Sequence, residues 1–138
     1  MYKRQAFALP SLAQVPDFSG TWRIALRTPA QRQQKADCGS TEFILLQQGK
    51  TITGNHTFVT VGCGRQNEGS EEAVRGVVEK GTAILTVTSG RNGAVVKGRA
   101  TIRAGSLHWE TTEELAPGDS ADDSPLLLGK GVLKRVSK

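Results

Sequence analysis

Three two-residue turns and one Asn-Gly pair constrain most tightly how this chain can fold. Gly49-Lys50, Lys80-Gly81 and Ala104-Gly105 each separate two segments in which apolar and polar residues alternate, and Asn92-Gly93 lies between another such pair. Because a two-residue turn decides which residues of its two strands face each other, each turn predicts a register. The sequence therefore predicts an antiparallel sheet built from consecutive hairpins.

The predicted registers bring apolar residues together on one face, and a slip of one residue would exchange the two faces. The predicted pairs are Leu45 with Gly54, Phe43 with His56, Val74 with Val87, Gly76 with Leu85, Val78 with Ala83, Val87 with Gly98, Leu85 with Ala100, Ile102 with Leu107 and Ala100 with Trp109. The apolar face comprises Trp22, Ile24, Leu26, Phe43, Leu45, Ile52, Phe58, Val74, Val78, Leu85, Val87, Val96, Ile102, Leu107 and Trp109. Four further apolar residues fall on the polar face and predict a packed outer surface: Ile44, Leu46, Val77 and Ile84.

Eight strands with one buried face predict an all-β fold, an eight-stranded up-and-down antiparallel β-barrel, because closure removes exposed sheet edges. The predicted strands are 19–28, 41–48, 51–61, 73–80, 82–89, 94–103, 106–114 and 125–136. Small inward residues fit the close packing of a small barrel, and Trp109 opposite Ala100 is a large residue against a small one. Residues 18–138 are assigned to this single domain.

Composition narrows the function classes. The net charge is +5, but the basic residues are interspersed with thirteen acidic ones, so a solvated surface is favoured over nucleic-acid binding. No apolar run reaches the roughly 20 residues that span a bilayer. The sequence shows no catalytic triad, paired-carboxylate site, phosphate-binding glycine loop or metal-ligand spacing, so an enzyme, a cofactor and a bound metal are all unsupported. His108 is expected on the outer face, opposite Thr101.

The first seventeen residues are interpreted as three segments. Residues 1–5 match the translation of a sequencing-transposon adapter, which suggests a gene fragment from assembled environmental DNA. Residues 6–13 have the apolar stretch and small residues, Ser11 and Ala13, of the end of a secretory signal peptide. Gln14 to Asp17 would then form a mature N-terminal arm. These features predict a secreted or periplasmic protein.

Cys38 and Cys63 are the only cysteines. In an exported chain two cysteines indicate one disulfide, although two unpaired thiols are the alternative. The register of the second and third strands places Cys38 opposite Val61 and Cys63 one diagonal step away. A bridge there requires a bulge or loop adjustment.

The two ends of the predicted barrel differ. One end carries the three tight turns, while the other carries the longer connections 29–40, 62–72, 90–93 and 115–124, an arrangement typical of a barrel that holds a ligand. The candidate ligand-binding residues are Phe43, His56, Phe58, Trp109 and Glu113 inside, with Arg65 and Arg91 at the rim as guanidiniums for a carboxylate or phosphate. Alternatives are that His56 is a hydrogen-bonded core residue, that Glu113 reaches into water, and that the arginines only solubilise the turns.

Residues 18–22, Phe-Ser-Gly-Thr-Trp, resemble the Gly-x-Trp opening of the first strand in lipocalins and related calycin barrels. In that family an arginine of the last strand packs across this tryptophan, so the resemblance implies structural roles for Gly20, Trp22 and Arg135. Residues 38–41 followed by 51–54 also resemble the second hairpin of avidins. The second lipocalin motif is not evident, and an avidin site would contain more tryptophans.

Two functions follow from these predictions. The first is an exported binding protein that holds a small, partly apolar ligand at the open end of the barrel. The alternative is a secreted or periplasmic inhibitor of a protease or other hydrolase. Small bacterial metalloprotease inhibitors resemble this chain as disulfide-bearing barrels with a similar first strand, and in them the N-terminal arm enters the cleft of the enzyme. The sequence predicts no oligomeric state.

Overall fold

A computed structural model of the protein describes residues 16–119 and 123–137. Within them lie nine strands and one short helix, in the order β1 (Gly20–Ala25), α1 (Pro29–Gln33), β2 (Cys38–Gln48), β3 (Thr51–Val61), β4 (Gln66–Asn67), β5 (Val74–Glu79), β6 (Thr82–Thr88), β7 (Val95–Arg103), β8 (Ser106–Ala116) and β9 (Lys130–Ser137). The segments assigned to an adapter-derived start and a signal peptide, with Gln14 and Val15 of the arm, lie outside the described residues.

Eight of these strands form a closed antiparallel barrel, which confirms the predicted fold class. Each long strand pairs with the next along the chain, and β1 closes the barrel by pairing with both β2 and β9. The two-residue strand β4 adds to β3 beyond the end of β5. No helix in the described part of the chain is long and apolar enough to cross a bilayer.

Three of the four predicted registers are confirmed, among them Phe43 opposite His56, Val78 opposite Ala83 and Ala100 opposite Trp109. The register predicted from Asn92-Gly93 is wrong by two residues, because Leu85 pairs with Gly98 and Val87 with Val96. The connection is a longer loop in which the Ser89 N–H donates to the carbonyl of Ala94. A shift of two residues keeps the same side chains inward.

The barrel interior is an apolar core made largely of the predicted face. Its fully buried members include Trp22, Trp109, Phe43, Ile52, Leu85 and Leu107, and Ile24, Leu26, Val96 and Ile102 pack against it while partly exposed. The pattern of alternation missed Phe18, which is fully buried, and Leu126 and Leu128, which lie outside the strands. The core therefore extends beyond the strands at both ends of the barrel.

The last strand differs most from its prediction. The structure begins it at Lys130, and residues 125–129 are irregular. Pro125 has no N–H for a ladder, and Leu126 adopts a left-handed φ of 51° that takes it out of the β region. The structure also contains α1, capped by Thr28 and Gln31, inside the predicted connection 29–40.

The outer surface carries exposed apolar side chains where the pattern predicted packing. Ile44 is 44% exposed, Leu46 53% and Val77 42%, whereas Ile84 is half-buried. No described segment of this chain covers the three exposed side chains.

A disulfide joins Cys38 to Cys63, as predicted, with 5.3 Å between the two Cα atoms. Both cysteines adopt left-handed φ values, 62° and 63°, and each adjoins a glycine with positive φ, Gly39 or Gly62. This local departure from strand geometry is the adjustment that the diagonal position of Cys63 required. The disulfide ties the start of β2 to the end of β3 at the loop-rich end of the barrel.

Gly98 provides a test of the packing around Trp109. A Cβ atom on Gly98 would collide with the indole ring of Trp109 and the backbone carbonyl of Glu110. We expect Gly98→Ala to lower the free energy of unfolding by about 1–3 kcal/mol through overpacking. The matched control is Gly64→Ala, because nothing lies within 4 Å of a Cβ at Gly64. Urea unfolding of both variants measures the effect, and equal stabilities would contradict this account of the core.

Candidate functional site

Three of the predicted inward residues meet beneath the loop-rich end. The ring centroids of Phe43 and His56 lie 4.8 Å apart, and those of Phe43 and Trp109 lie 5.1 Å apart. Phe43 faces His56 across the β2–β3 hairpin, while Trp109 comes from β8. All three side chains are at most 2% exposed. The barrel therefore brings two aromatic rings and one imidazole into a single buried cluster.

Residues 123–129, here called the mouth segment, lie over this cluster. Leu126 and Leu128 of the segment are buried, 4% and 7% exposed. The Trp109 indole N–H donates to the carbonyl of Leu128 at 2.7 Å, and the Thr111 hydroxyl donates to the same oxygen at 3.1 Å. The open end of the barrel is thus filled by the chain's own residues.

Polar side chains from β4 and from the connection between β6 and β7 hold the mouth segment. The Asn67 amide donates to the carbonyls of Pro125 and Leu126, each at 3.2 Å. The Ser89 hydroxyl donates to the Pro125 carbonyl at 2.7 Å, and the Asn92 amide donates to the carbonyl of Asp123 at 3.0 Å. Asn67, Ser89 and Asn92 are themselves buried, so these hydrogen bonds form away from water.

His56 bonds to the mouth segment from below. The backbone N–H of Leu128 donates to Nε2 of His56 at 3.4 Å, so the neutral ring carries its proton on Nδ1. Burial lowers the pKa of His56 from 6.5 to about 4 because desolvation penalises the imidazolium, while a backbone hydrogen bond opposes this effect. His56 is therefore neutral at physiological pH.

Two buried polar atoms near this cluster have no hydrogen-bond partner among the described residues. They are Nδ1 of His56 and Oγ1 of Thr41. Thr41 pairs with Phe58 and Phe43 pairs with His56, so Thr41 and His56 are diagonal neighbours on the inner face. A buried polar atom without a partner is costly, which makes this pair the least satisfied place in the interior.

The two rim arginines converge on one carboxylate of the mouth segment. The Arg91 guanidinium donates from Nε to both carboxylate oxygens of Asp123 at 2.9 Å, and Arg65 lies 3.9 Å from the same group. The Asp123 side chain is only 24% exposed. The position expected for an anionic ligand is therefore occupied by the protein's own carboxylate.

The other two candidate residues lie away from the buried cluster. Phe58 is half-buried and pairs with Thr41 and Asn67. Glu113 is exposed, and its predicted inward orientation is wrong. A register shift between Lys97 and Gly98 sets Glu113 opposite Lys97, so the bulge turns Glu113 to the outer surface.

Sequence reasoning missed the residues that hold the mouth segment. Asn92 is predicted as a turn residue and Asn67 falls in the predicted connection 62–72, and asparagine suits both places because it bonds readily to nearby backbone groups. Both do so here, since Asn67 accepts from Gly69 and Asn92 from Ala94. Only the fold shows that their amides also donate to a segment more than thirty positions away. Among the described residues, no group of three or more His, Cys, Asp or Glu side chains could hold a metal ion.

The opposite, tightly turned end is closed by the residues of the lipocalin-like motif. The Arg135 guanidinium lies over the Trp22 ring at 4.2 Å and donates to the backbone carbonyls of Asp17 and Ser19. The Trp22 indole N–H donates to the carbonyl of Phe18 at 2.9 Å. Gly20 is buried opposite Leu45 with a φ of 134°. These contacts fix the position at which the chain enters the barrel.

His56 predicts a specific loss of stability in acid. Between pH 6.5 and about 4 the unfolded chain binds a proton at this residue and the folded protein does not. The free energy of unfolding should therefore fall with pH by about 3 kcal/mol through this group. Urea unfolding from pH 7 to pH 4 checks this against His56→Gln, in which the carboxylates titrate as before and the decline is shallower. Parallel curves for the two proteins would contradict the assignment.

Comparison with known proteins gives this chain no family. No protein-family model matches it, and neither a curated protein nor a solved structure matches it significantly. The lipocalin-like resemblance stays a prediction, carried by Gly20, Trp22 and the position of Arg135 over the Trp22 ring.

Proposed function

We propose that the protein is an exported barrel that binds a small, partly apolar ligand at its loop-rich end, in the place that the mouth segment occupies. One observation carries this proposal: the mouth segment packs Leu128 and the partly buried Leu127 with the apolar core that contains Phe43 and Trp109, and it places a carboxylate on Arg91. A ligand with an apolar body and an anionic group would satisfy the same partners. The segment then acts as an internal substitute for the ligand.

The irregular backbone of the mouth segment supports the proposal that a ligand displaces it. Residues 124–129 belong to no strand or helix, and Leu126 holds a left-handed φ that is unfavourable for a residue with a branched side chain. Release of the segment breaks side-chain hydrogen bonds, the ion pairs of Asp123 with Arg91 and Arg65, and one backbone hydrogen bond, from the Thr111 N–H to the Gly129 carbonyl. Such irregular, locally held segments open at a lower free-energy cost than core strands.

Two buried polar atoms without a hydrogen-bond partner among the described residues support a polar contact between the ligand and the barrel interior. Nδ1 of His56 is a donor, and Oγ1 of Thr41 donates or accepts. A ligand hydroxyl or carbonyl that reached these atoms would satisfy buried groups that have no partner within the described part of the chain. Export is supported by the Cys38–Cys63 disulfide, because disulfides persist in secreted and periplasmic compartments.

The proposed ligand site predicts that substitutions of Asp123 and Arg91, the two partners of the rim ion pair, change the affinity for an anionic ligand in opposite directions. Octanoate and 1-octanol serve as probes, because they share an apolar chain and only octanoate is charged at pH 7. Asp123→Asn frees Arg91, so it should raise the affinity for octanoate about fivefold, in line with about 1 kcal/mol for a well-oriented, partly exposed ion pair. Arg91→Gln should abolish the preference for octanoate over 1-octanol. Titration calorimetry measures both effects.

Glu79→Gln is the control for these variants, because Glu79 is an exposed carboxylate beside the tight turn at the far end of the barrel. It should bind both probes as the unmodified protein does. The proposal fails if neither probe binds to the Asp123→Asn variant while that variant remains folded by circular dichroism.

The fixed position at which the chain enters the barrel, just before β1, favours a second candidate function. Phe18 is fully buried, and Arg135 holds the carbonyls on either side of it, so Pro16 and Asp17 leave the barrel from a defined point. This supports an inhibitor of a secreted hydrolase whose N-terminal arm enters the cleft of the enzyme, as in the bacterial inhibitors that the chain resembles. Pro16 and Asp17 lie at the opposite end of the barrel from the mouth segment.

Deletion of Gln14 to Asp17 separates the two functions. If the arm is inhibitory, the intact protein should inhibit at least one member of a panel of purified secreted metalloproteases and serine proteases, and the deletion should abolish that inhibition. Octanoate binding should be unchanged, because the deletion leaves Phe18 and the mouth segment intact. Inhibition that survives the deletion would contradict the role of the arm.

A further inference from the structure

We propose that a cleft on the outer wall of β7, β8 and β9 binds an acidic, partly apolar peptide segment of a partner protein. The cleft has a volume of about 720 Å³ and extends from the turn between β5 and β6 to the start of β9. Its size falls within the range of clefts that bind ligands. It is separate from the mouth segment, so this inference does not rest on either function proposed above.

Four cationic side chains line the cleft, and three of them have no ion pair among the described residues. The four are Lys80, Arg99, Arg103 and Lys130. Arg99 bonds to Glu110 at 3.0 Å, whereas no carboxylate of residues 16–119 or 123–137 lies within ion-pair distance of the other three. Most other described arginines bond to a carboxylate or to backbone carbonyls, as Arg91, Arg75 and Arg135 do. The cleft thus contains four cationic side chains and one carboxylate, Glu110, and this excess of positive charge favours carboxylates from another molecule.

The surface of the cleft between the cationic side chains carries both polar and apolar groups. His108 and Thr101 face each other across β7 and β8, and Val132 of β9 lies beside His108 with 45% of its surface exposed. These residues offer an imidazole, a hydroxyl and an apolar surface within one cleft. An occupant that satisfies all of them carries carboxylates and also an apolar side chain.

Glu110 favours a peptide over a uniformly charged polyanion. Its carboxylate lies in the cleft and would repel a sulfated glycan that carries negative charge along its whole length. A peptide can place an apolar or neutral residue near Glu110 and its acidic residues near Arg103 and Lys130. The net charge of +5 would also speed association with an acidic partner.

The test uses a fluorescent twelve-residue peptide in which glutamate alternates with leucine or valine, and the same peptide with glutamine in place of glutamate. Fluorescence anisotropy at low salt should show binding of the glutamate peptide and none of the glutamine peptide. The double variant Arg103→Glu with Lys130→Glu should weaken binding at least about tenfold. Raising the salt concentration from 50 to 300 mM should weaken binding as well.

The control variant is Arg32→Glu with Lys50→Glu, which makes the same change in net charge at exposed sites outside the cleft. It should retain most of the affinity of the unmodified protein. The proposal is overturned if the glutamate peptide does not bind, if the two double variants lose affinity equally, or if a heparin oligosaccharide of matched charge binds at the cleft more tightly than the peptide. Octanoate binding should be the same in both double variants.

Discussion

The closure of the barrel depends on β1, whose central residue contacts both of its neighbouring strands. Trp22 pairs with Phe43 of β2 on one side and with Arg135 of β9 on the other. Its indole is fully buried and bonds to the Phe18 carbonyl, and the Arg135 guanidinium covers the ring. Cation–π contact and apolar burial thus act on one side chain at the point where first and last strands meet. Without this junction the sheet would present two open edges.

The loop-rich end is closed in a different way, by hydrogen bonds to an irregular segment. Asn67, Ser89 and Asn92 bond to backbone groups of the mouth segment, and Arg91 bonds to the carboxylate of Asp123. Each such bond contributes on the order of 1 kcal/mol, so the segment is held by several modest interactions rather than by one strong one. Under the proposed function, a ligand that offers equivalent groups replaces these interactions. The junction at β1 has no equivalent replacement.

Particular residues show how far sequence reasoning reaches. The pairs Phe43–His56 and Ala100–Trp109 were predicted correctly, because each lies in a hairpin whose two-residue turn allows a single register of its two strands. The pairing near Asn92 was wrong because the connection is a loop longer than two residues, closed by the hydrogen bond from the Ser89 N–H to the Ala94 carbonyl. Glu113 was placed on the wrong face because a bulge in β8 changes the alternation, and nothing in the local pattern indicates a bulge there.

The sequence by itself determined the class of fold and the inward face, because these depend on alternation and turn length, which are local properties. Only the tertiary structure decided how the open end is filled. The hydrogen bond between Leu128 and His56 joins residues 72 positions apart in the sequence, and the bond between Asp123 and Arg91 joins residues 32 positions apart. Such contacts depend on where irregular segments come to rest after closure, and they follow no periodicity that a sequence displays. The candidate site was therefore predictable in its buried residues and unpredictable in the segment that covers them.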